Sequence, residues 1–546
     1  MSFTIEYNGK QKTFEKKVPC SELVEKGNRD IICCRVNNKL RELTYYIEED
    51  AKVEFLTIKD EDAAKIYEST VRFIAVMAFA RLYPGLNVRL TRNVSRSTFI
   101  QILDENISAN KKMRDAIEEE MRKIIAADFP LARHTYDKKK AAEIYKQMGL
   151  HDKLEALAYR PEKTVHLYEC DGYYNYLFSR MVPSTGYIKD FKLNLYVPGM
   201  ILQTPRAECK GEIPEFVDAP TYGRTLKEAH VWAKTVNAET VVKINEHIHK
   251  DGVIDFIQLC EARHNRMLAE LGEIIEKNED IKIICVAGPS SSGKTTFANR
   301  TRIELMSRGL KPIRISMDDY YLPKSQAPKD EDGKPDLESI EALDIELFNQ
   351  NMLDLINGEE VQLPKFDFKL GKRVPGRILK VGKGEPIIIE GIHALNDRMT
   401  ALIPRNQKFK IFIAPQAQIN LDNTNPVSIT DLRLCRRLVR DFKFRAASAE
   451  ETIGMWPSVR RGEFKWIYDT QEGADYVYNS MLSYELSVMK KYALPLLKAI
   501  DIENPYFPVA ERLIRMLKFF DDLPDEWVPC NSILREFIGG SCYADV

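Results

Sequence analysis

Ile281-Lys-Ile-Ile-Cys-Val-Ala-Gly-Pro-Ser-Ser-Ser-Gly-Lys-Thr-Thr296 contains the pattern G-x-x-x-x-G-K-T, set between an apolar run and a helical one. The run from Ile281 to Ala287 predicts a buried parallel strand, and Phe297-Ala-Asn-Arg-Thr-Arg-Ile-Glu-Leu305 has helical spacing. Strand, glycine-bearing loop and helix in that order are the setting in which this pattern cradles phosphates. A phosphate chain brings several negative charges out of water, and the backbone N–H groups at a helix N-terminus meet them with fixed partial positive charge. Gly288 and Gly293 let the backbone curl around the anion without Cβ clashes. Ser290, Ser291, Ser292 and Thr296 complete the expected nucleotide-binding turn. Lys294 adds a full charge toward the β- and γ-phosphates, and the Thr295 hydroxyl is placed to ligate Mg²⁺. An accidental Gly/Ser loop is disfavoured by the strand and helix on its two sides. A nucleoside triphosphate is the expected ligand.

The chain has 546 residues, too many for one core, and its length suggests three or four domains. Charged residues make up 29% and hydrophobic ones 44%, an ordinary globular balance. A formal net charge of -1 excludes a global field toward nucleic acid or anionic lipid, and leaves local basic patches open. The N-terminal residues show no charged-then-apolar leader, and no run approaches the ~18 apolar residues of a membrane span. The ten cysteines are scattered, with only Cys33 and Cys34 adjacent and no C-x-x-C, which suits buried thiols in a reducing compartment. The expectation is a cytoplasmic enzyme with no membrane partner.

Residues 1–62 alternate strand-like runs and turns. Phe3-Thr-Ile-Glu-Tyr7 meets Asn8-Gly9, a hairpin signal, and a helix-like Cys20–Lys26 precedes Ile31–Val36 and Val53–Thr57. This pattern resembles the β-grasp TGS domain. A long helical pattern then runs from Asp60 to Pro84 and opens an α+β segment at 63–225, an order similar to the N-terminal half of threonyl-tRNA synthetases. That family's second domain edits with His-x-x-x-His and Cys-x-Gly-x-His. Counting back from Leu82-Tyr83-Pro84, the first pair here is Phe73 and Met77, and the second reads Cys170-Asp-Gly172-Tyr-Tyr174. One thiol out of four ligand positions holds no metal, so the editing chemistry is expected to be gone and the scaffold reused. Tyr173, Tyr174, Tyr176, Phe178 and Arg180 form either an aromatic-basic RNA surface or a strand with a packed face, which interleaved aromatics favour. Residues 226–280 read as a helical connector. Its His247 and His249, two apart on a helix, face different sides and share no metal.

Beyond the glycine-bearing loop, Pro312–Ser316 reads as the next strand and delivers Met317-Asp318-Asp319-Tyr320-Tyr321 at its C-terminal edge, where ligands of open α/β sheets sit. Asp318 is there to deprotonate or orient an acceptor hydroxyl, and Asp319 reads as a cap. Glu385-Pro-Ile-Ile-Ile-Glu390 is a buried strand ending in a carboxylate suited to Mg²⁺. Asp431-Leu-Arg433-Leu-Cys-Arg436-Arg437-Leu-Val-Arg440-Asp441, with Arg445, places cations on one helix and its exit. They are either a solvated face or a lid over the transferring group.

The strand–GPSSSGKTT–helix unit, MDDYY, LPKFDF, IIIEGI and RLCRRLVRD occur in this order across about 281–500, which resembles the uridine kinase/phosphoribulokinase family. The resemblance implies a doubly wound parallel-sheet kinase domain at 281–500 using ATP and Mg²⁺, with a helical tail at 501–546. It implies Asp318 as general base and Mg²⁺-proximal acid, and Glu390 as second metal carboxylate. It further implies Tyr321 and Phe366 as nucleoside-lining residues, and Arg437, Arg440 and Arg445 as lid arginines around phosphates and acceptor. Glu338 stands where uridine kinases hold the ribose with Asp, Gly371 where a His reads the base, and Ala447 where a further lid arginine lies. Tyr320, for the usual Phe, is expected to add a polar group near the acceptor. Arg460 and Arg461 either touch phosphate or belong to a structural loop. The expected function is a nucleoside kinase acting on the 5′-hydroxyl, the alternatives being an ATP-switched RNA or tRNA binder and a kinase of a sugar phosphate or other metabolite. A homo-oligomer stays open.

Overall fold

Ile283–Ala287 and Lys408–Ala414 bury every one of their side chains, as parallel strands do when helices cover both faces. The computed structural model describes residues 2–92, 96–249, 252–323, 325–329, 333, 335–367, 370–382, 384–416 and 419–544. In it these two strands are neighbours in a five-stranded parallel sheet, ordered Ile313–Ser316, Ile387–Glu390, Ile283–Ala287, Lys408–Ala414, Tyr476–Asn479. Ser316 and Val286 both lie opposite Glu390 in register. Three strands therefore end flush at one edge, where the glycine-bearing loop and Asp318 emerge. The fold of this half is the expected doubly wound α/β architecture.

Lys294–Ser307 forms the helix after the glycine-bearing loop. The cationic helix spans Ile429–Phe444 and packs on Ala449–Trp466, Glu485–Lys498 and the short tail helix Arg535–Ile538. A hairpin of Glu360–Asp367 and Lys372–Lys380 leans on the turn Met317–Tyr320, and Gly371 takes φ +64 in its bend. Phe368, the last residue of the LPKFDF motif, lies outside the described residues.

The N-terminal sheet is mixed, ordered Lys10–Phe14, Phe3–Tyr7, Ala51–Thr57, Ile31–Val36, Lys39–Arg41, with its first and last long strands parallel, a β-grasp arrangement. Asn8 and Gly9 take φ +48 and +70, which matches the twist of a two-residue hairpin. Cys20–Lys26 is not the expected helix: only Cys20–Leu23 makes a 3-10 turn, and Val24 is extended. Only Cys20 and Leu23 are buried there, so a longer helix would have no apolar stripe to bury. The following helix, Glu61–Leu82, is buried over most of its length. Its Phe73 and Met77 are core residues, Phe73 packing edge-to-face on Tyr173 with centroids 5.4 Å apart. Burial lifts the Cys170 thiol to about 12.

Two expectations for the middle of the chain are corrected. Tyr173–Arg180 is a strand only over Tyr173–Asn175. Beyond it the backbone is claimed by the other half of the molecule: Phe178 donates to Asn425 at 2.6 Å, and the Tyr176 carbonyl accepts from the Asn425 side-chain amide at 3.3 Å. The connector's helices are Pro220–Thr235, Val241–His249 and Val253–Glu276, so the helical run begins at a proline suited to N1, ahead of Leu226. Residues 250 and 251 lie outside the described residues. His247 stacks on Phe256 and His249 pairs with Asp521 at 2.7 Å, separate surroundings for the two rings. One hydrophobic cluster runs from Ala141 through the connector to Ile538, so the halves share a core. Among the described residues no helix is long and apolar enough to cross a membrane.

Candidate active site

The glycine-bearing loop is held in its shape by geometry that glycine alone permits at two points. A Cβ on Gly288 would collide with the Ile413 carbonyl, and Gly293 caps its helix at φ +90, under the Ile533 side chain. Ser291 also takes a positive φ, +59. Among the described residues the Ser291, Ser292 and Thr296 hydroxyls are buried with no hydrogen-bond partner, and Thr295 is half-buried beside them. Orphaned buried hydroxyls at a helix N-terminus fit a phosphate-bearing ligand. Lys294 folds back over the loop, donating to the Gly288 and Pro289 carbonyls at 2.9 and 3.3 Å.

Two carboxylates share the field of that ammonium. Burial pushes Asp318 above its ordinary range against the pull of Lys294, Arg445 and Arg440. Burial and then Asp318 lift Glu390 to about 7, with Arg314 at 3.8 Å. Burial in turn lowers Lys294, opposed by Glu390, Asp318 and Glu536. Ammonium and acids thus share one field, and a pair of carboxylates, hard oxygen donors, is what a divalent cation would neutralise.

Glu338 packs against Gly462 of helix Ala449–Trp466. Its Oε2 is buried with no hydrogen-bond partner among the described residues, and burial followed by the Glu463 charge lifts the carboxyl to about 7. The folded chain therefore keeps this proton between its ordinary pKa of 4.5 and about 7, where the unfolded chain has released it, so stability falls as pH rises through that window. At about 1.4 kcal/mol per pKa unit, Glu338→Gln is expected to shrink the stability difference between pH 5 and pH 8 by about 2–3 kcal/mol. Urea melts at the two pH values check this. Tyr321 and Phe366 meet edge-to-face at 5.9 Å next to it, and the Tyr321 hydroxyl donates to the Leu337 carbonyl at 3.1 Å.

Other expectations fail on contact with the packing. Tyr320 adds nothing polar to the acceptor side: it is fully buried, and its hydroxyl accepts from Asn351 at 3.1 Å. Asp319 caps no helix. Ser316 fills that role, while Asp319 accepts from the Phe366 amide at 3.2 Å and pins the hairpin. Arg460 is not in a loop but in helix Ala449–Trp466, donating to Glu463 at 2.6 Å and to the Tyr468 hydroxyl at 2.8 Å.

The cationic helix is neither a solvated face nor a simple lid. Arg433, Arg436, Arg437 and Arg440 recur at i, i+3, i+4, i+7, the spacing of one helix face, and the first two are fully buried. Arg433 pairs with Glu463 and donates to the Ser290 carbonyl at 3.0 and 2.9 Å, while Glu463 accepts from the Ser290 amide at 3.2 Å. Arg436 pairs with Glu485 at 2.6 Å and donates to the Ser291 carbonyl at 3.2 Å. Arg437 donates to the Ser290 hydroxyl at 2.8 Å. These guanidiniums brace the phosphate loop from behind. Arg437, Arg440 and Arg445 all reach the one carboxylate of Asp441, at 3.1, 2.7 and 3.7 Å, which leaves an excess of positive charge facing Asp318.

Sequence reasoning missed five of these groups. Once the arginine face is known to be buried it requires acidic partners, and Glu485, alone in the run Tyr484-Glu-Leu-Ser-Val, is the signal that could have found one. Glu463 and the bracing roles of Arg433 and Arg436 follow from it. Glu536 carried no signal. Its Oε2 accepts from the Thr296 amide at 3.0 Å, so the tail places a carboxylate on the helix N-terminus that anchors the loop.

Residues 283–487 match the profile of the Phosphoribulokinase / Uridine kinase family. The chain is 29% identical over 197 residues to the uridine kinase of Halalkalibacterium halodurans, covering 36% of this chain and 84% of that protein. It is 29% identical over 176 residues to the uridine kinase of Ureaplasma parvum serovar 3, covering 32% and 76%. It is also 29% identical over 191 residues to the threonine–tRNA ligase of Caldanaerobacter subterraneus subsp. tengcongensis, covering 34% of this chain and 30% of that ligase. The chain thus spans under a third of the threonine–tRNA ligases that it matches. A phosphoribulokinase / uridine kinase family domain makes up residues 283–487 of this chain, behind an N-terminal region related to threonine–tRNA ligases.

Proposed function

We propose that the chain is an ATP- and Mg²⁺-dependent kinase that phosphorylates the hydroxyl of a small molecule, most simply the 5′-hydroxyl of a nucleoside. The observation that carries this reading is the meeting of Lys294, Asp318 and Glu390 at the phosphate loop. Mg²⁺-bound ATP supplies the phosphoryl group and its leaving group when present. The amides of 288–296 and Lys294 hold the phosphate chain. Thr295, Glu390 and Asp318 are the oxygen donors for the metal. Asp318 takes the acceptor's proton, and its raised pKa brings it toward the range in which a general base works near neutral pH. Arg437, Arg440 and Arg445 offset charge at the transferring group. Tyr321, Phe366 and Glu338 line the acceptor side, with Glu338 able to donate as well as accept near neutrality. A panel of nucleosides and sugar phosphates assayed for ADP release tests this. Release with none of them rejects the reading, and release with sugar phosphates alone transfers it to that acceptor class.

The synthetase-like segments, proposed at 1–62 and 63–225, fix the kinase half in place through the shared core and not through editing chemistry, since Phe73 and Met77 are apolar core residues. Glu536 competes for the phosphate seat. Its charge lies on an amide that the phosphate chain needs, so Glu536→Gln is expected to tighten nucleotide binding about tenfold, or about 1.4 kcal/mol. Titration with a fluorescent ADP analogue measures this. Unchanged affinity would mean that the tail carboxylate stays outside the nucleotide's path.

A further inference from the structure

A second gathering of guanidinium groups lies outside the phosphate loop, at the junction of the N-terminal sheet, the hairpin Ala132–Asp137/Thr164–Cys170 and the helix Phe507–Leu517. Arg41, Arg133, Arg160, Arg180 and Arg515 reach it from five separate stretches of chain. Arg133 and His166 both come from the hairpin, where His166 bonds the Thr135 hydroxyl at 2.9 Å. Arg160 lies over the Tyr176 ring at 4.4 Å and the Phe519 ring at 5.3 Å, and Arg515 lies over Phe178 at 4.9 Å. Phe178 and Phe519 are themselves in contact at 5.7 Å, which ties these groups into one body.

The charge is not balanced from within. Among the described residues the side chains of Arg180 and Arg515 have no hydrogen bond and no carboxylate within ion-pair distance, Glu511 acting on Arg515 only from farther off. The Nε atoms of Arg41, Arg160 and Arg180 are buried with no acceptor. Arg160 approaches Glu162 only to 4.0 Å, and Arg133 approaches Glu42 only to 4.0 Å. Glu42 is already engaged by the Tyr168 hydroxyl and the Met181 amide, and burial raises it toward the neutral form. Burial and then Arg133, Arg160, Arg180 and Arg515 push His166 down to about 4, so the imidazole adds no charge at neutral pH.

Guanidiniums that converge from several elements with too few carboxylates close by to offset them call for an anion able to accept several forked donors, which a phosphate group does. The Tyr176 and Phe178 rings are already covered by arginines, so these two offer no free face for stacking a base. The groups converge on one place and form no stripe along which a nucleic-acid backbone could run. We propose that this junction is a binding site for a small, multiply charged phosphate-type anion, free or as the phosphate chain of a nucleotide. This site does not depend on the kinase reading.

The test is calorimetric titration of the full chain with pyrophosphate at constant ionic strength, in a Lys294→Ala background that weakens the phosphate loop. One saturable site is expected, weakened at least tenfold by Arg180→Gln and by Arg515→Gln, each shown by circular dichroism and melting to be folded. Arg133→Gln, on the exposed rim, is expected to weaken it severalfold and carries the test if the inner variants do not fold. ADP bound with the same sensitivity but more tightly would identify a nucleotide as the source, and equal affinity would mean that the phosphates alone are read. No saturable binding, or binding indifferent to these substitutions, overturns the proposal. So does salt-dependent retention of single-stranded RNA, lost in the same variants, with pyrophosphate inert.

Discussion

Asp318→Asn is expected to lower the rate of phosphoryl transfer by about 10²–10⁴-fold, the usual contribution of a positioned general base, while nucleotide affinity stays within a few-fold of the parent. Asparagine keeps the shape of the side chain but cannot take a proton. The environment explains why so much rests on one carboxyl. Asp318 is buried, which raises its pKa, and it is held from rising further by Lys294, Arg445 and Arg440. In the proposed reading those same cations hold the phosphate chain, so loss of the acid leaves the binding apparatus in place. Single-turnover transfer measured alongside nucleotide titration separates the two effects. Undiminished transfer would remove Asp318 as the base, and lost affinity with normal transfer would make it a structural residue. A matching decline in the parent's rate toward acid pH is expected as Asp318 and Glu390 become protonated.

Glu485→Gln is expected to destabilise the chain by about 3–5 kcal/mol, because both members of the Arg436–Glu485 pair are fully buried and the variant strands a guanidinium without its counter-charge. The loss has a local consequence as well. Arg436 also holds the Ser291 and Ser480 carbonyls, so the phosphate loop is expected to loosen and nucleotide affinity to fall together with the melting temperature. Replacing both partners by methionine restores apolar packing in place of the pair and is expected to recover most of the stability, though not the brace on Ser291. Calorimetric melting of the single and double variants checks the sign and the non-additivity. A single variant as stable as the parent would show that the pair is solvated in solution.

The parts of the site legible in sequence are those governed by local rules. Gly288, Gly293, Lys294 and Thr295 sit in a strand–loop–helix unit whose shape follows from a few neighbouring residues. Asp318 and Glu390 are legible because parallel strands in one sheet deliver their C-terminal residues to the same edge. Ser316 and Glu390 are in register for that reason. What escaped depends on partners far away in the chain. The arginines of Ile429–Phe444 look like a surface charge run until Glu463 and Glu485, which bury them, are known. Tyr320 reads as polar, yet the Asn351 amide drew its hydroxyl into the core. Glu536 reaches Thr296 across 240 residues of sequence, and no pattern around it announces a phosphate seat. The Tyr173–Arg180 stretch lost its strand because the Asn420–Pro426 hairpin of the kinase half claimed its backbone.

Crystals of the chain grown with Mn²⁺ and ADP test most directly whether the two acids and the phosphate loop form one centre. The anomalous signal of manganese is expected within about 2.2 Å of the Thr295 hydroxyl or of a carboxylate oxygen of Asp318 or Glu390, or about 4 Å from it through one water, with the diphosphate on the amides of 288–296 and the Glu536 carboxylate displaced. Manganese and diphosphate bound elsewhere, with Asp318 and Glu390 undisturbed, would contradict it.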